Sequence, residues 1–348
     1  MTIEYLSDPT LIPDFDIPQV SGEPALNCPV VGSSSKTEIT NAQSWTEATA
    51  VVAEVTKGNI RTAVFESSSC SCKGPKKPCL FVHGLGNFFD APLSSTDLLY
   101  WGFAHEHVPC CSSIKFAHFE TIHNGWDQPK VQNQFCDAAL ATSNSNSRTV
   151  GSLILITHSM GNLIVGGAVS AGVCSLSNQV SWLSVHGPMQ GSRSANLLEN
   201  KCKSNSWTDI ALKGAAALIG FCPAPQAYLS LKEQTTVDAT VKSKYLQAQA
   251  VRQKYATKTM CGVDAFGLNT VYAPILFTVG QMAQFTTSEN DGMVDFPSCS
   301  VGLSNFNTDA VSSGNYKASI NHADATFRNG DGWWGSDRKP VKWLQCAL

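Results

Sequence analysis

The sequence has few charged residues, no excess of basic ones and no long apolar run. Charged residues make up 15% of the chain and the formal net charge is −3, so the composition does not favour nucleic acid as a partner. Apolar stretches such as 152–156 and 215–219 are far shorter than the roughly 20 residues of a membrane-spanning helix, so we expect no transmembrane segment. Because 43% of the residues are hydrophobic, the chain can instead bury a sizeable core.

Cysteine, by contrast, is abundant, with 13 residues in the chain. A reducing cytosol would keep them as thiols, so this number predicts disulfides, an oxidising compartment and a secreted protein. The first ten residues nevertheless lack the basic and apolar regions of a signal peptide. Cys70, Cys72 and Cys79 have no matching second half of a zinc motif. The adjacent Cys110 and Cys111 are expected to bond to different partners.

Three kinds of region follow one another along the chain. Residues 1–48 are acidic and rich in proline, which predicts an extended arm or a disordered extension. Residues 49–192 and 272–348 alternate short apolar runs with helical stretches, and this pattern predicts a mostly parallel sheet flanked by helices. Between them, residues 193–271 lack a strand signal, so we expect a helical cap or lid inserted late in the sheet, with 210–221 as a candidate lid.

The apolar runs and helical patterns give specific bounds for the elements. The predicted strands are 62–65, 79–83, 114–119, 153–157, 180–186, 275–279 and 316–320. The predicted helices include 128–141, 162–174 and 339–345.

Ser159 lies at the turn between a buried strand and a helix rich in small residues. A nucleophilic serine on such a strained turn needs small residues two positions before and two after it, so that strand and helix can approach. Gly161 meets this requirement, whereas Thr157 stands where glycine is usual. We expect Thr157 to fit if Gly166 and Gly167, which have no side chains, leave room for it on the facing helix. The alternative is an ordinary turn with serine as the helix N-cap.

Chain order selects the partners of Ser159. On a sheet of this kind a carboxylate and then a histidine follow the nucleophile. Only two histidines follow Ser159, and no acidic residue separates it from His186, so His322 remains as the base. Glu289, Asp291, Asp295 and Asp309 are the candidate acids. We favour Asp291 over Asp295 because Gly292 offers the sharp turn that presents a carboxylate at a strand end.

A third element precedes the serine. The apolar strand 79–83 ends in His83 and Gly84, and glycines at 84 and 86 let the backbone bend so that its N–H groups face a developing negative charge. We expect the backbone N–H groups of Leu85 and Met160 to form the oxyanion hole. His83 is then expected to hold the loop without transferring a proton.

Five short strings taken together resemble the serine lipases, particularly the bacterial true lipases of the α/β-hydrolase superfamily. They are Val-His-Gly-Leu-Gly at 82–86, His-Ser-Met-Gly at 158–161, Gly-Pro-Met-Gln-Gly-Ser at 187–192, Asn-Asp-Gly-Met-Val at 290–294 and Asn-His-Ala-Asp at 321–324. They come in the family's order and cover roughly residues 60–325. The His-Ser-Met-Gly-Asn string is also similar to that of lecithin:cholesterol and phospholipid:diacylglycerol acyltransferases.

The resemblance implies an α/β-hydrolase fold and hydrolysis of carboxylic esters, often acylglycerols, beneath a mobile helical lid. It assigns Ser159 as nucleophile, Asp291 as acid and His322 as base. It also implies a disulfide from the cap to the loop after the acid, which Cys261 and Cys299 could supply. No cofactor is required for this chemistry.

A structural calcium ion is a further implication of the resemblance. Some of these lipases bind calcium near the histidine loop through an aspartate two residues after the histidine, and Asp324 matches that position. Asp264 is the only candidate we name for a second ligand.

The sequence therefore predicts a carboxylic ester hydrolase that acts through an acyl-enzyme, on acylglycerols or other lipid esters and at a lipid–water interface. The first alternative is an acyltransferase that passes the acyl group from the same serine to an alcohol. The second is a non-catalytic binding protein on a hydrolase scaffold, which would not be labelled by an alkyl phosphonate.

Overall fold

An eight-stranded sheet forms the centre of the described part of the chain. The computed structural model describes residues 70–204 and 223–348. The strands in these ranges are β1 (Lys77–Val82), β2 (Ala91–Ser94), β3 (Cys111–His118), β4 (Thr149–Val150), β5 (Leu153–His158), β6 (Ser175–Leu176), β7 (Val180–Val185), β8 (Ala256–Gly262), β9 (Phe306–Asn307) and β10 (Asn315–Ala318). The sheet order is β2-β3-β1-β5-β7-β8-β10-β9, and β4 pairs with β6 separately. Within the sheet only β2 runs antiparallel to its neighbour, as the predicted parallel sheet allows.

Helices cover the two faces of this sheet. In chain order they are α1 (Pro129–Thr142), α2 (Met160–Ser170), α3 (Arg193–Ser204), α4 (Gln226–Ser230), α5 (Ala239–Tyr255), α6 (Ala273–Met282), α7 (Phe296–Ser300) and α8 (Pro340–Cys346). None of the helices in the described ranges has both the length and the apolar character needed to cross a bilayer. This order of strands and helices is the α/β-hydrolase fold, as the sequence predicts.

The central strands are apolar on both faces because each face meets a separate core. In β1, Leu80 and Val82 point into a core that includes the helical side chains of α1 and α2. Cys79 and Phe81 point to the opposite core, where Phe81 stacks on Phe116 at a centroid distance of 4.7 Å. Burial on both faces explains why the strand reads as a continuous apolar run in the sequence.

Most predicted elements are confirmed, with ends that differ by a few residues, but the predicted strand 275–279 is wrong. These residues belong to helix α6, which begins at Ala273 and has Pro274 in its first turn. A short apolar run fits a strand and a buried helix equally well, and the proline just before it was the overlooked signal for a helix start.

The prediction that 193–271 contains no strand is also wrong. Strand β8 lies inside this range and pairs with β7 and β10 at the middle of the sheet. Helix α5 belongs to the same core, since a Cβ added to Gly166 of α2 would lie 2.8 Å from the Cβ of Ala248 in α5. β8 escaped detection because it follows α5 without a turn and its first half is partly exposed. The predicted arm 1–48, strand 62–65 and candidate lid 210–221 lie outside the described residues.

Disulfides join distant parts of the sheet and its helices. The described bridges are Cys70–Cys346, Cys72–Cys110, Cys79–Cys111, Cys136–Cys174 and Cys261–Cys299. The prediction that Cys110 and Cys111 bond to different partners is confirmed, and so is the Cys261–Cys299 bridge. Cys70, Cys72 and Cys79, which lack the second half of a zinc motif, are all bonded to other cysteines.

Candidate active site

Ser159 lies on a sharp turn between β5 and α2, in a backbone conformation that residues other than glycine rarely adopt. Its φ is 54° and its ψ is −129°, outside both the helical and the extended regions. A Cβ at Gly161 would lie 2.7 Å from the carbonyl oxygens of Val82 and His83, so only glycine permits this approach of α2 to β1. The strain and the close packing are those of the predicted nucleophile turn.

Thr157 fits the turn for a reason other than the one expected. Its hydroxyl donates to Oδ1 of Asn162 at 2.5 Å and accepts the indole N–H of Trp182 at 2.8 Å. The glycines thought to make room face elsewhere: Gly166 packs on α5, and a Cβ at Gly167 would contact Gln132 and Trp126. Threonine is therefore accommodated by buried hydrogen bonds, which satisfy its hydroxyl in the core.

Gly84 supports the nucleophile from the neighbouring strand end. A Cβ at this position would lie 2.5 Å from Ser159 Cβ and 3.0 Å from Ser159 Oγ. We expect Gly84→Ala to lower kcat about 100-fold, because a displacement of the reacting serine by about 1 Å has that effect. Steady-state kinetics on a soluble ester would measure the change. Gly74→Ala is the matched control, since a Cβ there meets nothing within 4 Å, and equal losses in the two variants would contradict this role of Gly84.

The three residues assigned from chain order form one hydrogen-bonded chain. The hydroxyl of Ser159 lies 2.8 Å from Nε2 of His322, and Nδ1 of His322 lies 2.8 Å from Oδ2 of Asp291. With the proton on Nδ1 donated to the carboxylate, Nε2 is free to accept the serine proton. Asp291 is 1% exposed and Ser159 is 7% exposed, so this chain is shielded from water at its acidic end.

The carboxylate of Asp291 is held by four donors. Its Oδ1 accepts the backbone N–H groups of Met293 and Val294, at 2.9 and 2.7 Å. Its Oδ2 accepts Nδ1–H of His322 and also Nδ1–H of His186, the latter at 2.7 Å. Burial alone would raise the pKa of the Asp291 carboxyl, but the neighbouring histidines hold it well below its usual range. Asp291 is therefore ionised throughout the neutral pH range.

The other candidate acids lie away from His322. Asp295 precedes α7 and its Oδ2 accepts the hydroxyl proton of Thr286 at 3.1 Å. Glu289 pairs with Lys317, and Asp309 accepts backbone N–H groups of its own exposed loop. Of the four carboxylates considered, the structure brings only Asp291 to the histidine.

Leu85 and Met160, the predicted oxyanion donors, both lie near Ser159: Met160 follows it in the chain, and Leu85 follows Gly84, where a Cβ would lie 2.5 Å from Ser159 Cβ. The N–H of Gly84 donates to the hydroxyl oxygen of Tyr100 at 2.8 Å, so the N–H of Leu85 is the next one available on this loop. No carbonyl within the described residues accepts the N–H of Leu85, and Met160 begins α2, where the N–H has no intrahelical acceptor. These two donors can serve an oxyanion beside Ser159.

His83 holds the loop through both of its ring nitrogens. Nδ1–H donates to the carbonyl of Gly84 at 2.8 Å, and Nε2 accepts the N–H of Phe119 at 3.0 Å. Burial lowers the pKa of His83 to about 4, so the ring stays neutral at neutral pH. With both nitrogens engaged by backbone, His83 has no free position from which to move a proton.

A second polar chain, which the sequence analysis missed, connects the oxyanion loop with the base. The hydroxyl of Tyr100 contacts Nδ1 of His158 at 2.7 Å, and Nε2 of His158 contacts the backbone carbonyl of His322 at 3.1 Å. Burial lowers the pKa of His158 well below its ordinary value, so the ring is neutral, with Nε2–H donating and Nδ1 accepting. His158 stands beside the serine in the sequence, but nothing in the sequence indicates that Tyr100 is its partner.

The predicted calcium ligands are engaged by other groups. Oδ2 of Asp324 accepts the backbone N–H groups of Leu268 and Asn321, and Oδ1 accepts the side-chain amide of Asn329. Asp264 pairs with Arg338 at 3.0 Å. A calcium site requires several oxygens directed at one point, whereas here N–H donors surround the Asp324 carboxylate. These residues do not fit calcium, and no step of the chemistry below requires a cation.

The Cys261–Cys299 bridge connects β8 with α7 and so encloses the loop that carries Asp291. Replacing both cysteines with serine is expected to lower the free energy of unfolding by about 4 kcal/mol, because the bridge no longer closes a loop across a sequence separation of 38. The same change is expected to lower kcat, because this loop carries Asp291. Denaturant unfolding and kinetics measure the two effects.

Cys136–Cys174 is the matched control for this pair, since its sequence separation is also 38. Its double serine variant should lose similar stability and keep its kcat, because the bridge joins α1 to the segment after α2, away from Asp291. An equal loss of kcat from both variants would contradict the specific role of Cys261–Cys299.

Comparison with known proteins finds solved structures that are similar to this chain at low sequence identity. No protein-family profile and no curated protein matches the sequence. Among solved structures, a lipase of Staphylococcus hyicus is similar over 79% of this chain and 94% of its own, at 12% identity and a TM-score of 0.40. A metagenomic carboxyl esterase is similar over 80% of this chain and 75% of its own, at 13% identity and a TM-score of 0.46. A hydrolase of Oleispira antarctica matches over 72% and 85%, at 13% identity and a TM-score of 0.33.

Proposed function

We propose that this protein is a serine carboxylic ester hydrolase that acts on lipid esters. The observation that carries the proposal is the hydrogen-bonded chain from Ser159 through His322 to Asp291, with a distance of 2.8 Å at each step. These contacts occur next to two backbone N–H groups, at one end of an apolar pocket. A nucleophile, a base, an oriented acid and an oxyanion site are the parts that acyl transfer requires.

In the first half of the reaction His322 accepts the proton of Ser159 as Oγ attacks the ester carbonyl. Asp291 keeps the proton of His322 on Nδ1 and stabilises the imidazolium that forms. The N–H groups of Leu85 and Met160 bind the oxyanion of the tetrahedral intermediate, and one such donor lowers the activation barrier by about 3 kcal/mol. His322 then protonates the leaving alcohol, and the acyl group stays on Ser159.

In the second half water attacks the acyl-enzyme. His322 takes a proton from this water, the second tetrahedral intermediate occupies the same two N–H groups, and the carboxylic acid leaves as Ser159 regains its proton. Because the imidazole must be neutral to accept a proton in both halves, hydrolysis is expected to fall at acid pH.

The pocket beside Ser159 supports a substrate with an apolar acyl chain. Its walls come from α3, α4, α6 and the loop after Asp291. The larger apolar side chains among them are Leu198, Tyr228, Leu231, Ile275, Leu276, Val279, Met293 and Val294. An apolar wall around a few polar groups at one end is typical of a site that holds a hydrocarbon chain next to a reacting ester.

Exposed apolar residues next to the pocket support action at a lipid–water interface. Leu99, which is 84% exposed, precedes the pocket residue Tyr100, and Val271, which is 78% exposed, precedes the pocket residue Tyr272. Phe277 is exposed on α6 beside two residues of the wall. Large apolar side chains that stay in water so close to a substrate pocket are suited to contact with lipid.

The five described disulfides fit an oxidising compartment, and we propose a secreted protein on this ground.

A chain-length series of p-nitrophenyl esters, together with emulsified triacylglycerol, tests the substrate class. We expect kcat/KM to rise from acetate to a longer acyl chain, because each methylene buried in the pocket contributes about 0.8 kcal/mol. Hydrolysis of acetate alone, with no gain from longer chains, would contradict a lipid substrate. Product analysis with and without a long-chain alcohol separates hydrolysis from acyl transfer, and an alkyl ester as the main product in water would favour the acyltransferase.

A further inference from the structure

His186 is a wholly buried histidine that the mechanism above does not use. It follows β7, its backbone N–H donates to the carbonyl of Met260 at 2.8 Å, and its φ is 46°. Nδ1–H donates to Oδ2 of Asp291 at 2.7 Å, which is the oxygen that His322 also contacts. Nε2 is buried and has no hydrogen-bond partner within the described residues. A buried polar atom without a hydrogen-bond partner lowers the stability of the fold, so this histidine is unfavourable for folding at its Nε2.

We propose that His186 is a positioning residue that shares the Asp291 carboxylate with His322 and thereby extends ester hydrolysis to more acidic pH. This inference rests on the proposed function, since it concerns the same acid and base. The sharing is a matter of geometry: two Nδ1–H groups, at 2.7 and 2.8 Å, point at a single carboxylate oxygen.

The effect on His322 follows from competition for that oxygen. A hydrogen bond from His186 stabilises the carboxylate and reduces the negative charge that it offers to a second donor. The imidazolium of His322 is then stabilised less than it would be by an unshared carboxylate. Hydrolysis is consequently expected to persist to a lower pH.

The groups that face His186 allow it to act as a neutral donor. Asp291 is in direct contact, and the rings of His322 and His158 lie at centroid distances of 5.9 and 6.2 Å. From β8, Gly262 brings no side chain, and a Cβ there would overlap with the His186 ring. Burial lowers the pKa of His186, an effect that the hydrogen bond from its Nδ1–H to Asp291 opposes. The neutral ring with its proton on Nδ1 satisfies Asp291 and leaves Nε2 bare.

Two substitutions at 186 separate the hydrogen bond from the bulk of the ring. In His186→Asn the amide nitrogen takes the place of Nδ1 and can still donate to Asp291, whereas in His186→Gln it takes the place of Nε2 and cannot. Asparagine also tolerates the positive φ of this position. In His186→Gln we expect the acid limb of the pH profile of kcat/KM to move up by about one pH unit. A shift of this size corresponds to part of the free energy of a charge-assisted hydrogen bond.

In His186→Asn the acid limb should stay where it is in the wild type. KM should change by less than about twofold in either variant, because His186 does not line the pocket. A limb that stays fixed in a folded His186→Gln protein, or that moves equally in both variants, would overturn the proposal.

Proton NMR of the ¹⁵N-histidine-labelled wild type gives a test that needs neither activity nor a variant at 186. Two imidazole Nδ1–H signals should be strongly deshielded by the shared carboxylate, and both should move in Asp291→Asn. The Nδ1–H signal of His83 should stay fixed, since its acceptor is the carbonyl of Gly84. If only one signal moves with Asp291, the shared carboxylate is refuted.

These readouts also distinguish a failure of this proposal from a failure of the proposed function. Two coupled signals in a protein that hydrolyses no ester would leave the shared carboxylate intact and contradict the hydrolase. One coupled signal in an active enzyme would contradict the sharing alone.

Discussion

Ser159→Ala is expected to lower kcat for ester hydrolysis by about 10⁵-fold or more, while the fold is kept. The hydroxyl is the atom that forms the acyl-enzyme, and alanine leaves His322 with nothing to deprotonate. The residual rate should come from the oxyanion donors and from substrate binding alone, so KM should change little. Stopped-flow or steady-state kinetics on p-nitrophenyl esters, with the unfolding midpoint as a check on the fold, measure these quantities.

Ser170→Ala is the matched control for this change. Ser170 ends the same helix, and its hydroxyl donates to the carbonyl of Gly167, far from the base. Activity within about twofold of the wild type is expected, as for a substitution that touches no part of the site. A Ser159→Ala protein with the activity of this control would exclude the serine as nucleophile.

Asp291→Asn carries the second largest expected effect, a loss of about 10⁴-fold in kcat. The side-chain oxygen of asparagine would remain with the N–H groups of Met293 and Val294, which places the amide nitrogen where Oδ2 was. Nδ1 of His322 would then face a donor, so its proton would move to Nε2. A ring with its proton on Nε2 cannot accept the proton of Ser159.

Asp295→Asn provides the control for Asp291→Asn. Asp295 is the competing acid weighed against Asp291 in the sequence, four residues away, yet its Oδ2 contacts Thr286 and not a histidine. We expect its kcat within about threefold of the wild type, since the amide can keep a hydrogen bond with Thr286. If the larger loss followed Asp295→Asn, the acid would be wrongly assigned.

The arrangement of Ser159, Asp291 and His322 could be predicted because it depends on local signals and on chain order. The turn at Ser159 requires a strand, a strained residue and Gly161 in direct succession, and all of these are visible in sequence. His322 was the one usable histidine by elimination. Asp291 was preferred over Asp295 because of the glycine beside it, and Gly292 does adopt a positive φ of 89°.

The features that could not be predicted from the sequence are contacts between residues far apart in the chain. Chain order removed His186 from consideration as base, yet β7 and β8 bring it to Asp291, 105 residues away. Tyr100 and His158 meet across 58 residues in the same way. The strand β8 and the helix α6 were misassigned because each is short, and so few residues carry no distinct hydrophobic period. The hydrophobic period of a segment indicates which face of a helix or strand is buried, but it does not indicate which other elements pack against that face.

Covalent labelling with an alkyl phosphonate, read by mass spectrometry of the digested protein, tests the central claim most directly. The phosphonate mimics the tetrahedral intermediate and reacts with a serine only when base and oxyanion donors are in place. We predict one adduct per chain, on Ser159, with loss of ester hydrolysis in proportion to labelling and no adduct in Ser159→Ala. An adduct on another residue, or full hydrolytic activity in protein labelled at Ser159, would contradict the account.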